Sequence, residues 1–318
     1  MDALTDNAPG GVAALSRHLA EGLIGHEVLI ERLLIGVLAG GHLLIEGAPG
    51  LAKTRAVKRL AGAMDAAFAR IQCTPDLMPA DLTGTPVFRP QTGTFEFVPG
   101  PVFHNLVLVD EINRAPPKVQ SALLEAMAEG QVTSGNETMP LPDPFLVVAT
   151  QNPIEHDGTF PLPEAQLDRF LMHVVLDLPD AATERRILDL VEAEGQGVAP
   201  APMSLSLEDV RAARKAAMAV HLSEPLRDYI VRLVTATRAD PYARDIDHAV
   251  SPRGSLALAS AAKARAYLHN RDFAMPEDVA DVAGDALAHR MVMTWRAVAE
   301  GRTARALIAD VLRDVEAL

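Results

Sequence analysis

The segment Gly47-Ala48-Pro49-Gly50-Leu51-Ala52-Lys53-Thr54 (GAPGLAKT) decides how the rest of the chain is read. It follows His42-Leu43-Leu44-Ile45-Glu46, which reads as a buried strand, and opens Ala52 to Met64, which reads as a helix. A glycine-rich turn in that setting exposes consecutive backbone N–H groups with no Cβ in the way, and the helix N-terminus adds a favourable dipole. The arrangement suits a polyphosphate. Lys53 is placed to reach the β- and γ-phosphates, and the Thr54 hydroxyl to bind Mg2+. Ala52 stands where the pattern G-x-x-x-x-G-K-[ST] has glycine. Alanine is tolerated where φ stays negative, so a negative φ is expected there. The competing reading is a chance strand–turn–helix with a capping glycine.

Outward from this turn, apolar runs alternate with helical patterns between about Ile24 and Pro179. Leu106 to Val109 reads as a second buried strand, with a helix over Ser121 to Glu129. Phe145 to Thr150 is a third strand and His173 to Leu176 a fourth. Uninterrupted β-branched runs suit strands buried on both faces of a parallel sheet. The fold class is therefore α/β. Two regions read as hairpin inserts, near 88–97 around the Thr92-Gly93 turn and over 130–144. Gly, Ala and Pro concentrate near Glu194 to Pro202, and helices follow at about 207–220, 224–238, 252–269, 276–290 and 302–317. Residues 1–190 thus form one domain, 191–203 a linker and 204–318 a helical domain.

The second chemical element is LVLVDEIN, Leu106 to Asn113. Its strand ends in Asp110-Glu111, at the sheet edge where ligands of open α/β folds sit. Asp110 is placed to hold Mg2+, directly or through water, and Glu111 to orient the water that attacks the γ-phosphate. Asn152, in ATQNP, either holds that water or simply forms a turn before Pro153. Arg169 in EAQLDRF and Arg253 in SPRG read either as surface charges or as an arginine finger and a sensor. Arg114 has two comparable readings, interface sensor or packing.

Composition narrows the rest. A 4% aromatic fraction within 49% hydrophobic residues favours helices packed on a parallel sheet over a β-sandwich. A net charge of −13 argues against a nucleic-acid coat, though not against a local basic channel. Cys73 is the only cysteine, which rules out an intramolecular disulfide and a thiolate zinc cluster and suits a reducing compartment. The ten histidines lack metal spacing. The N-terminus does not read as a signal peptide, and the longest apolar stretch, Leu33 to Ile45, falls short of the ~20 residues of a membrane helix. The expectation is a cytoplasmic protein without membrane insertion.

Taken in order, GAPGLAKT, LVLVDEIN, ATQNP, EAQLDRF and SPRG resemble the motifs of an AAA+ ATPase. Ala52 within GAPGLAKT, together with VDEINRAPPKVQSALLEAMAEGQV at 109–132, closely resembles the MoxR branch. The similarity covers about residues 15 to 300. It implies an αβα nucleotide-binding domain with a helical lid, and ATP and Mg2+ as cofactors. It also implies a homo-oligomeric ring, usually hexameric, with the site at a subunit interface. Lys53, Thr54, Asp110 and Glu111 carry over as Walker A and B residues, Asn152 as sensor 1, Arg169 as the arginine finger and Arg253 as sensor 2. Arg169 would act on the neighbour's ATP, and the repositioned lid of this branch allows Arg253 to do the same. Ile24 and Gly25, in LIGH, match the segment near the adenine, and the 88–97 hairpin matches an insert facing the central pore. Relatives of this kind resemble chaperones that remodel or mature proteins. They often work with a von Willebrand factor A domain protein, and some support metal-cofactor insertion. No residue names the client. The alternatives are a nucleic-acid motor, a metal-chelatase motor subunit and a nucleotide-gated scaffold.

Overall fold

The structure is a computed structural model that describes residues 10–134, 137–152, 158–197 and 201–317. Pro153 of ATQNP, the first nine residues and part of the expected linker therefore lie outside the described residues.

Among the described residues nine strands precede the C-terminal helices: β1 (Leu43–Gly47), β2 (Phe68–Gln72), β3 (Gly84–Arg89), β4 (Thr94–Pro99), β5 (Leu106–Asp110), β6 (Gln131–Ser134), β7 (Glu137–Pro140), β8 (Leu146–Gln151) and β9 (Met172–Leu176). Five of them form one sheet in the order β2-β5-β8-β1-β9, and every pairing is parallel. Side chains alternate between two apolar layers. Leu43, Ile45, Leu106, Leu108 and Val148 enter one cluster, while Leu44, Val107, Val109, Val147 and Ala149 enter the other. Burial on both faces explains why these strands read as continuous apolar runs. The helix Pro117–Glu129, which packs in the second layer, starts four residues before the expected Ser121 because Pro117 occupies its first turn.

Both expected hairpins are present. β3 and β4 pair antiparallel from Gly84↔Pro99 to Arg89↔Thr94, so the first insert is longer than 88–97. Its outer surface exposes Phe88 and Phe95, whose rings lie 5.3 Å apart. β6 and β7 form the second.

Two elements depart from expectation. β2 was not legible as a strand, and the helix Ala181–Gly195 runs five residues into the stretch expected to be linker. The C-terminal helices Leu207–Ala219, Glu224–Ala236, Pro252–Leu268, Pro276–Leu287 and Ala304–Asp314 fall where the sequence places them. Ser206, Ser223 and Ser251 cap three of them through their side chains. These helices share one apolar cluster with the helix Glu27–Ala39 and the sheet. Buried Arg32 pairs there with Glu31 at 2.6 Å, Asp281 at 2.9 Å and Asp285 at 2.7 Å.

Candidate functional site

Parallel pairing brings the C-terminal ends of β1, β2, β5 and β8 to one edge, with Gln72 opposite Asp110 and Glu46 opposite Gln151. The turn after β1 leads into the helix Lys53–Ala63. A cleft of about 370 Å3 lies there, lined by Gly50, Lys53, Thr54, Asp110, Glu111 and Asn152 among others. The two motifs that the sequence separates by about 60 residues thus share one space.

Ala52 has φ +51°, which corrects the expectation of a negative value. The residue caps the helix start in the left-handed region, where a Cβ crowds the following carbonyl. Gly50, at φ +87°, takes its own left-handed position without that penalty. The Lys53 ammonium donates to Gly47 O at 2.7 Å. Burial lowers its pKa, and Asp110, Glu111 and Glu46 act in the opposite direction. In this state the lysine is parked on the turn's own carbonyl, in reach of the space a phosphate would fill.

The acids are held by side chains that the sequence did not advertise. Arg70, on β2, donates to Asp110 Oδ2 at 2.6 Å, and Thr150 donates to Oδ1 at 3.3 Å. Glu111 has φ +56° and its N–H donates to Thr150 Oγ1 at 3.0 Å. Its carboxylate accepts from Gln72 Nε2 and Arg114, each at 3.1 Å. A non-glycine residue in the left-handed region costs on the order of 1–3 kcal/mol and persists where surrounding bonds determine it. Arg114 therefore touches Glu111 itself, as an i,i+3 ion pair. The hydroxyl of Thr54 and the carboxylate of Asp110 are a hard-oxygen set that fits Mg2+.

Ile24 and Gly25 lie outside the lining of this cleft. Gly22, two residues before Ile24, accepts from Nε of Arg55, a lining residue of the cleft, at 3.0 Å. Gly25 has φ +76°, and a Cβ there would meet the Thr183 methyl at 2.2 Å, so backbone geometry alone calls for glycine.

Arg169 and Arg253 meet elsewhere. Both line a second cleft of about 350 Å3, together with Asp168 and Arg290. The two clefts have no lining residue in common. Arg169 donates to Leu124 O at 2.7 Å and is otherwise exposed. Arg253 is exposed too, 3.7 Å from Asp168. Behind them the side chain of Arg290 is buried, and burial brings it down to about 10, so it stays protonated near neutral pH.

Arg70, Gln72, Thr150, Asp168 and Arg290 escaped the sequence reading. Arg70 and Gln72 lie on β2, a placement that a recognised β2 would have signalled, while Thr150 lies near the end of β8. Cys73 is buried, and burial pushes its thiol up to about 12, in keeping with its reading as a small hydrophobe. Among the described residues no group of His, Cys, Asp and Glu could hold a metal by itself, and no helix is long and apolar enough to cross a membrane.

Comparisons with known proteins agree with this geometry. Residues 42–172 match the family described as the ATPase family associated with various cellular activities (AAA), and residues 236–311 match the AAA lid domain. Chaperone MoxR1 of Mycobacterium tuberculosis is 44% identical over 92% of this chain and 78% of its own length. Protein YeaC of Bacillus subtilis is 43% identical over 94% of this chain and 92% of its own. A solved structure from Cytophaga hutchinsonii, described as that of an ATPase, superposes with a TM-score of 0.88 at 44% identity, over 96% of this chain and 94% of that one. With its P-loop, its acidic pair and its lid in that order, the chain belongs to the MoxR family of AAA+ ATPases.

Proposed function

We propose that this chain converts ATP and water to ADP and phosphate in a Mg2+-dependent, hexameric ring, and uses the cycle to remodel or mature partner proteins. One observation carries the reading: the phosphate cleft and the cleft lined by Arg169 and Arg253 are separate, so a single chain holds half a site on each. A neighbour's arginines would complete the first cleft.

Within that site Lys53 would leave Gly47 O for the β- and γ-phosphates, and the amides of the Gly47–Thr54 turn would hold the remaining oxygens. Thr54 and Asp110 would hold Mg2+, which neutralises charge between those phosphates. Glu111 and Asn152 would orient the attacking water, and Arg169 with Arg253 would meet the charge of the transition state from the adjacent subunit. Remodelling is favoured by the family and by the exposed Phe88–Phe95 pair on the first hairpin, an apolar tip suited to polypeptide. A von Willebrand factor A domain partner, support of metal-cofactor insertion and a cytoplasmic setting complete the proposal. The net charge of −13 disfavours the nucleic-acid motor.

Turnover measured against protein concentration tests the assembly. Specific activity should rise as subunits associate, and Arg169→Ala should lower turnover by about 10³-fold or more while sparing nucleotide binding. Activity independent of concentration and indifferent to Arg169 would remove the interface site.

A further inference from the structure

We propose that Asp168 is a positioning residue that joins the arginine finger to the lid, so that Arg169 and Arg253 face the neighbouring subunit's triphosphate as one unit. This rests on the reading that both arginines act on the adjacent subunit.

Asp168 immediately precedes Arg169, and its carboxylate is held from the lid side by three groups. Arg290 Nε donates to Oδ1 at 3.0 Å. Ser251 Oγ donates to Oδ1 at 3.3 Å and Oδ2 at 3.1 Å. Arg253 lies 3.7 Å from Oδ2. The grips differ in kind. Arg290 is 3% exposed, and its guanidinium also donates to Phe170 O at 2.6 Å, Leu171 O at 3.2 Å and Asp168 O at 3.3 Å. It therefore fixes the backbone from Asp168 to Leu171 as well as the carboxylate. Breaking the pair would strand the charge of a buried guanidinium, so this contact is the firmer of the two arginine contacts. Arg253 is 55% exposed and its contact is long, so screening leaves it weak and exchangeable. A phosphate can draw Arg253 away without disturbing Arg290.

Electrostatics require the carboxylate as well. Arg169, Arg253 and Arg290 line one cleft, and Asp168 is the only acidic residue among its described lining. With Asp168 neutralised, three cations would repel across that space and splay. With it charged, Arg290 is satisfied and the two exposed arginines stay close to one position, while Leu124 O holds Arg169 from the other side. Keeping both cations near the cleft before the phosphate arrives contributes to the preorganisation that phosphoryl transfer depends on.

Subunit mixing separates positioning from simple stapling of lid to core. Asp168→Asn keeps the size of the side chain and removes its charge. Turnover should fall on the order of 100-fold, the effect of displacing a catalytic group by about 1 Å, with ATP affinity at the variant's own cleft unchanged. Lys53→Ala subunits bind no nucleotide but present intact arginines. Mixing the two should restore turnover, because Lys53→Ala faces complete Asp168→Asn clefts. Arg169→Ala mixed with Lys53→Ala is the control. Restoration in the control but not with Asp168→Asn overturns the positioning role and leaves the interface reading standing. Failure of both mixtures overturns the interface reading and this proposal with it. Should Asp168→Asn fold poorly, Asp168→Glu, which keeps the charge but moves it by one methylene, goes through the same mixing. It should show an intermediate loss, restored in the same way; parent-level turnover would overturn the proposal.

Discussion

Arg70 Nε lies 2.6 Å from Asp110 Oδ2, so the carboxylate expected to serve Mg2+ already carries a cation from the neighbouring strand. The pair is lopsided: Asp110 is 11% exposed and Arg70 53%. Arginine and metal compete for the same oxygen. An ion pair with one exposed partner contributes about 0.5–1 kcal/mol. Arg70→Gln should therefore lower the Mg2+ concentration for half-maximal turnover by roughly two- to fivefold. A metal titration at fixed ATP measures it, and a higher requirement in the variant would contradict competition.

Ala52 offers a test of strain. Its left-handed φ costs about 1–2 kcal/mol with a Cβ present, and glycine returns about 0.5–1 kcal/mol of that through the entropy of the unfolded chain. Ala52→Gly should stabilise the fold by about 0.5–1 kcal/mol, seen as a higher denaturation midpoint at unchanged slope. A lower midpoint would mean that the strain is relieved by some contact of the methyl group.

For Glu111, Gln72 and Arg114 hold the carboxylate from two sides. Glu111→Gln preserves size and hydrogen bonding but removes the base. ATP should still bind, and turnover should drop by about 10²–10⁴-fold. Equal turnover in a single-turnover assay would move the water-orienting role to another residue.

Two buried histidines set an acid limit. Burial brings His42 down to about 4, while His289 is held well below its usual value by burial, and then by Arg290 and His173. Both rings are neutral in the fold and gain a proton on unfolding once the pH is below about 6.5. Stability is then complete above that pH and falls as the pH drops toward 4. The loss approaches about 1.4 kcal/mol per pH unit for His42. Denaturant melts between pH 6 and 5 should show about 1.4 kcal/mol per unit from His42, with His289 adding in the same direction, and His42→Gln should remove the His42 share. An unchanged slope in that variant would show that other groups govern acid unfolding.

What the sequence disclosed follows burial. β1, β5 and β8 were legible because both of their faces are apolar. β2 was not, since FARIQ buries only Ile71 at the edge of the sheet. The helix Ala181–Gly195 buries nothing, so no periodicity announced its end. Within the site, Lys53, Thr54, Asp110 and Glu111 were identifiable because each belongs to a contiguous motif. Asp168 and Arg290 lie 122 residues apart, and only folding reveals that one holds the other. The sign of φ at Ala52 is a property of the backbone that side-chain chemistry does not encode.

Glu31 and Arg32 sit on the helix Glu27–Ala39, and their partners Asp281, Asp285 and Arg265 sit on the lid. Separating lid from core would strand these charges without partners and tear one apolar layer in two. Among the described residues, lid and core are therefore fastened by charge pairs as well as by one apolar layer. The subunit's two halves should melt in a single step.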